Sequence, residues 1–139
     1  MRFFLLLLIL LACTAQADQT GMVTAMRGDV LRGDEFLSQG SLINEGDIIV
    51  TESRSFVVIQ FHDGGTVTIR PSSQLIIEKY NDEEAELNLV EGGLRIITGV
   101  LAKNDPDNYK VKTPVALMGV RGTEFSIMLC GDEVCMVEE

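Results

Sequence analysis

The chain has a single histidine, His62, and this limits the chemistry open to it. A serine or cysteine nucleophile activated by an imidazole would have to use that residue. The Gly-x-Ser-x-Gly turn of a nucleophile elbow is absent. His62 also precedes Asp63-Gly64, a turn pair, which predicts an exposed bend. Cys130 and Cys135 are separated by four residues. Redox pairs have two intervening residues, and a zinc site needs four ligands where only His62 is left to join. Acidic side chains number 21, so finding two close in sequence says nothing about a glycosidase-type acid and base. Residues 104–108 and 81–86 offer oxygen ligands to calcium, but neither has the glycine and distal glutamate of an EF-hand loop. No glycine-rich phosphate loop occurs, and the lack of Trp and scarcity of Tyr weigh against a stacking platform for sugars. Two Arg-Gly-Asp tripeptides, 27–29 and 32–34, carry an integrin-binding signature, yet Gly-Asp is ordinary turn chemistry. The expectation is a protein without catalytic residues, cofactor or metal.

These residues stand on two unlike segments. Of residues 1–17, 14 are apolar. Arg2 and the free amine form a short positive region, residues 3–12 are an unbroken apolar run, and Ala15-Gln16-Ala17 precedes Asp18 as a small-x-small cleavage site. This is the pattern of a secretory signal peptide. Ten helical residues rise about 15 Å, half of a ~30 Å hydrocarbon core, so no integral membrane span is expected. Leu10-Leu11-Ala12-Cys13 has the outline of a lipoprotein box, but the bulky Leu11 fits it poorly. Soluble export to the periplasm is therefore favoured over a lipid anchor at Cys13. The remaining residues, 18–139, make one domain by length, with 10 basic and 21 acidic side chains. A domain this acidic has no electrostatic footprint for nucleic acid and is repelled by anionic headgroups. Export also bears on the two remaining cysteines. An even count favours a Cys130–Cys135 disulfide across the Gly131-Asp132 turn, with free thiols the alternative.

The body reads as short strands. Apolar runs at 48–50, 56–61, 67–69, 75–77, 87–90, 94–97, 111, 125–129 and 134–137 are broken by Gly, Asp, Asn and Pro. Most lie about 8 to 12 residues apart, the spacing of a sandwich, barrel or roll. Val57, Ile59 and Phe61 share one face, as do Leu87 and Leu89, Leu94 and Ile96, and Phe125, Ile127 and Leu129. No helical period persists for ten residues, and 114–122 has room for one turn of helix at most. His62-Asp63-Gly64-Gly65 predicts a tight hairpin, and Asn44-Glu45-Gly46-Asp47 and Gly92-Gly93 read the same way. Residues 81–86 suit a solvated hairpin tip, and 103–108 a surface loop. The expected fold class is all-β: a single compact sandwich or roll, jelly-roll- or solenoid-like, with no sizeable helix after the leader.

Several segments, in order, resemble the FecR domain family. The longest is Val111-Lys-Thr113-Pro114-Val-Ala-Leu-Met-Gly-Val-Arg121-Gly122-Thr123-Glu-Phe125. Upstream, Gly46-Asp47-Ile-Ile-Val-Thr51 resembles a G-D-x-I-x-T strand, and Phe61-His-Asp63-Gly64-Gly-Thr66-Val67 resembles F-x-D-G-T-x-V. Pro71-Ser-Ser-Gln-Leu75 and Leu89-Val-Glu-Gly92-Gly-Leu94 complete the series, so the likeness covers about residues 21–137. It implies a periplasmic all-β domain whose motif residues set turns or contact a partner. Thr113-Pro114 enters its segment extended, and Arg121-Gly122-Thr123 lets backbone pass closely. Arg121, a cation in an acidic domain, is expected to be an internal clamp to a carboxylate or to carbonyls. In the namesake sensors such a domain relays a signal from an outer-membrane iron-siderophore receptor to a sigma factor. This chain shows neither their cytoplasmic helical segment nor their membrane span, so the expectation is the module without the transmembrane regulator. The function expected is non-catalytic binding of another envelope protein in signalling or iron-uptake regulation. A glycan- or peptidoglycan-binding structural module is the alternative.

The leader and the cysteine pair together predict an intact mass. The exported protein should begin at Asp18 and weigh two hydrogens less than the reduced chain by mass spectrometry. A lipid on Cys13 or an uncut leader would refute this.

Overall fold

The computed structural model describes residues 19–129. The leader, Cys13, the Cys130–Cys135 pair and the expected strand at 134–137 lie outside the described residues. The chain runs β1 (Gln19–Arg27), β2 (Val30–Arg32), β3 (Glu35–Phe36), β4 (Leu42–Asn44), β5 (Ile48–Thr51), β6 (Phe56–Phe61), β7 (Thr66–Ile69), β8 (Ser73–Tyr80), β9 (Ala85–Glu91) and β10 (Gly93–Ile97). A five-residue helix α1 (Val100–Asn104) and a 3-10 turn (Pro106–Asn108) follow, then β11 (Tyr109–Lys112), β12 (Leu117–Gly119) and β13 (Glu124–Met128). The fold is an all-β sandwich, as the spacing of apolar runs predicts. The loop expected at 103–108 is largely taken up by α1 and the 3-10 turn, and 114–122 holds a strand rather than a turn of helix.

Two sheets share the strands. One has the order β13-β10-β7-β6-β1-β4, the other β12-β11-β9-β8-β5-β2-β3. The alternating residues meet between them. Val57, Ile59, Val67, Ile69, Leu94 and Ile96 of the first sheet are fully buried, as are Ile49, Leu75, Ile77, Leu87, Leu89 and Val111 of the second. Period-2 burial of this kind aims one face of each of these strands into a shared core.

The four strands before Ile48 carry no strong pattern in the sequence. Residues 19–27 read Gln-Thr-Gly-Met-Val-Thr-Ala-Met-Arg, with only Thr20 and Val23 buried. β1 is a strand because β4 and β6 pair with it on both sides. Tertiary pairing here overrides weak local propensity.

Two of the four hairpin turns expected among the described residues are corners instead, while 81–86 joins the paired strands β8 and β9. The turn 62–65 does join neighbours, β6 to β7. Asn44-Glu45-Gly46-Asp47, however, carries the chain from β4 in one sheet to β5 in the other, and Gly92 does the same between β9 and β10. Turn chemistry specifies a reversal of direction but not which sheet receives the next strand.

One corner is built from buried polar groups. The Thr51 hydroxyl donates to the Arg70 carbonyl at 2.6 Å and accepts the Ser73 N–H at 3.0 Å. The Ser73 hydroxyl accepts the Gly93 N–H at 2.9 Å and donates to the Pro71 carbonyl at 3.1 Å. Arg70 N–H then donates to the Gly93 carbonyl at 2.9 Å. Thr51 and Ser73 are each 2% exposed, so every one of these bonds replaces lost water. Gly92 passes over this junction with φ +82°, and a Cβ there would lie 2.1 Å from Ser73 Oγ and 2.6 Å from its Cα. Both conformation and space exclude a side chain.

Thr51→Val should therefore destabilise the domain by about 1–3 kcal/mol, because it strands a buried donor and a buried acceptor while conserving shape. Urea unfolding checks this. A loss within error of zero would show that the junction does not hold the corner.

Candidate functional site

The residues of greatest chemical interest gather at the β6–β7 turn. Asp63 is the centre. Its Oδ1 accepts the Gly65 N–H at 2.9 Å and the Tyr80 hydroxyl at 3.0 Å, and its Oδ2 accepts the Leu101 N–H at 3.4 Å. Its carbonyl accepts the Val100 N–H at 3.0 Å. One residue thus closes the hairpin, anchors a core tyrosine from the other sheet and holds the start of α1. Gly99 allows the last of these, since a Cβ there would meet Asp63 O and Gly65 N at 2.5 Å.

Below Asp63 the rings are packed. Tyr80 stacks on Phe61, with centroids 3.9 Å apart and 7° between planes, and Tyr109 stands edge-on to Tyr80 at 5.9 Å. Burial pushes the Tyr80 phenol far above its ordinary range, and the nearby Tyr109 and Asp63 add to the shift. Burial likewise raises Tyr109. A buried phenol this placed is a hydrogen-bond donor and not a base.

His62 lies beside this centre at the surface. Its Nε2 is 3.0 Å from Asp82 Oδ1 and its Nδ1 is 3.2 Å from the Thr20 carbonyl. Each ring nitrogen thus faces an oxygen acceptor, and neither of these contacts is to a serine or cysteine. A shallow cleft opens on each side of the His62–Asp82 bridge. One is lined by Asp63, Leu101, Asn104 and Asp105, the other by Thr20, Asn44, Glu45 and Tyr80. No group of three or more His, Cys, Asp or Glu able to hold a metal occurs among the described residues.

The remaining motif residues are spread over other corners. Asp47 Oδ2 accepts the Asn44 N–H at 2.8 Å and lies 3.3 Å from Arg32 Nη1, while Gly46 N–H donates to the Ile77 carbonyl at 2.6 Å. The Arg32 guanidinium also binds Glu35 at 2.9 Å, and that bond leads in raising its pKa. The second Arg-Gly-Asp tripeptide therefore has its arginine engaged. In the first, the Asp29 N–H donates to Ser55 Oγ at 2.9 Å within the β1–β2 corner. Gly64 sits at the β6–β7 tip, and Thr66 pairs with Gln60 and Ile97 on the outer face. Gly122 and Thr123 present their carbonyls to Thr98, at 2.9 Å each, and so strap the β10–α1 corner. Phe125 is half-buried against the core opposite Ile96. Thr113 and Pro114 form a projecting turn, in which Thr113 Oγ1 accepts the Ala116 N–H at 3.0 Å.

Arg121 departs from expectation. It is not internal: it reaches Asp107 at 3.1 Å, with both side chains 80% exposed. A carboxylate does receive it, but in solvent, where such a pair contributes little. The segment Arg121-Gly122-Thr123 holds through its backbone carbonyls, which leaves the arginine side chain outside. The buried residues that organise this end, Tyr80, Tyr109 and Thr98, escape a motif-led reading. The only signal for the first two is that they are the chain's two tyrosines, each in a strand position facing inward.

Fold and site together define a two-sheet β domain in which, among the described residues, Asp47 and Asp63 have hydrogen-bond partners at its turns. A family model described as FecR protein matches residues 47–137, and the chain belongs to that family. Comparisons with curated proteins and with solved structures return no match.

The two tyrosines provide a spectroscopic check. A phenol whose pKa is raised on folding stabilises the fold below its unfolded pKa near 10 and loses that contribution as pH rises beyond it. Phenolate absorbance should therefore be missing from the folded protein at pH about 11 and appear only with alkaline unfolding. Asp63→Ala should lower the pH of that transition. Smooth ionisation of either tyrosine near pH 10 with the fold intact would contradict the packed arrangement.

Proposed function

We propose that the protein is an exported, non-catalytic module that binds another protein of the cell envelope in signalling or iron-uptake regulation. The family is one of regulatory domains rather than enzymes, which supports this reading. The observation that carries it is the fate of the motif residues. Asp47, Thr51, Asp63, Gly92, Gly122 and Thr123 all serve turns and corners that join the strands. What remains for function is the outside of the sandwich, a surface suited to recognition. A leader at 1–17 and a domain at 18–139 belong to this reading, with the periplasm as its location. No helix among the described residues is long and apolar enough to cross a membrane. Structural binding of glycan or peptidoglycan is the second reading, favoured only by the open clefts beside His62.

Two experiments separate the readings. Cross-linking in intact cells followed by pull-down from the envelope fraction should recover a specific protein partner. Sedimentation with purified cell-wall sacculi should leave the domain in the supernatant. Co-sedimentation without a protein partner would transfer the assignment to the second reading.

A further inference from the structure

Strand register shows a feature that the sequence scatters. On the seven-stranded sheet, inward residues alternate with outward ones, and the outward positions align across strands. Phe36 lies opposite Leu31, Leu31 opposite Val50, and Ile48 opposite Ile76. Val50 and Ile48 share one strand face, so these five apolar side chains are contiguous on the outer surface of β3, β2, β5 and β8. Phe36 is 66% exposed and Ile48 42%. The row continues from Ile76 to Asn88, Lys112 and Leu117, the last 61% exposed. A shallow groove between Val90, Pro114 and Leu117 ends it.

The opposite outer surface differs. Across the six-stranded sheet one outward row reads Leu42, Met22, Gln60, Thr66 and Ile97, so its exposed apolar residues are parted at the centre by polar ones. Scattered apolar residues are normal on any surface. Five contiguous apolar residues on one sheet, against a row interrupted by Gln60 and Thr66 on the other, is an asymmetry that solvent alone does not require.

We infer that the outer face of the seven-stranded sheet is the contact surface for a second copy of this chain. Charge is the first argument. The chain carries −10, so two copies repel wherever acidic turns such as Asp82-Glu83-Glu84 approach each other. This face is locally neutral: Glu78 and Glu86 are matched by Lys110 and Lys112 on neighbouring strands. Lys112 Nζ lies 3.0 Å from Glu78 and also contacts Glu86, and Asn88 Nδ2 donates to Glu78 Oε1 at 3.1 Å. These polar groups have partners within the face and keep them when water is removed. Area is the second argument. Seven strands spaced about 4.8 Å apart, and about five residues of height, give roughly 500 Å² per copy with side-chain margins. The total of about 1,000 Å² sits at the lower limit for a specific interface, which predicts weak, concentration-dependent pairing.

The inference extends the reading of the chain as a binding module, and its failure is distinguishable from the failure of that reading. The exported protein is measured by sedimentation velocity from about 10 µM to about 1 mM. A reversible shift toward twice the chain mass is expected. Added salt should leave the pairing intact or strengthen it, since screening acts on the repulsion between acidic turns. Phe36→Lys and Leu117→Lys, at exposed positions where folding is undisturbed, should each raise the dissociation constant about tenfold or more. Ile97→Lys, on the outer face of the other sheet, should leave it unchanged. Circular dichroism melts of all three variants confirm the fold. A single-chain mass throughout the range overturns the inference, as does a dimer indifferent to Phe36 and Leu117 or equally sensitive to Ile97. A monomer that still captures an envelope protein keeps the binding reading and refutes the self-contact. A dimer that captures nothing does the reverse.

Discussion

The sandwich depends on the chain passing repeatedly between its two sheets without leaving backbone polar groups dry. The junction of Thr51, Ser73 and Gly93 shows how. Three segments meet there, all excluded from water, and two side-chain hydroxyls complete the backbone bonds that no ladder can supply. A buried amide or carbonyl without a partner costs about 1–3 kcal/mol, so each such corner permits only a few residue types. Small hydroxyl residues can both donate and accept in little space, and a glycine must pass where Ser73 occupies the room.

The same constraint explains the Asp63 centre. The β9–β11 pair is parallel, and parallel neighbours need a long crossover. Here the crossover runs through β10 in the opposite sheet and then α1. α1 is too short to hold itself together by its own hydrogen bonds. Asp63 supplies its first acceptors, and Leu101 and Ala102 bury its inner side. Tyr80 reaches from the seven-stranded sheet to Asp63 and stacks on Phe61 of the six-stranded one, with Tyr109 edge-on behind it. The residues that look most reactive in the sequence are thus the ones most fully occupied by the fold.

Much of the architecture is legible from alternation. Val57-Ile59-Phe61, Leu87-Leu89 and Leu94-Ile96 announce their buried faces, because a strand turned through one residue would put every apolar group into water. The strands before Ile48 are not legible, since β1 holds few β-branched residues and depends on β4 and β6 for its pairing. Motif residues mark corners correctly but not their kind. Gly46 and Gly92 signal a turn, and nothing local tells a hairpin from a crossing. Arg121 misleads for a similar reason: its neighbours make the structural contacts through backbone carbonyls, which a sequence does not display.

By itself the sequence determined the all-β class, the acidic surface at turns and the membership of a family, because these follow from composition, period 2 and the order of short motifs. Tertiary structure alone decided which turns cross between sheets, that Asp63 is a hub, and that Phe36, Leu31, Val50, Ile48 and Ile76 form one surface. Those five residues lie far apart along the chain. They become neighbours only through strand register, which is set by pairing partners distant in sequence.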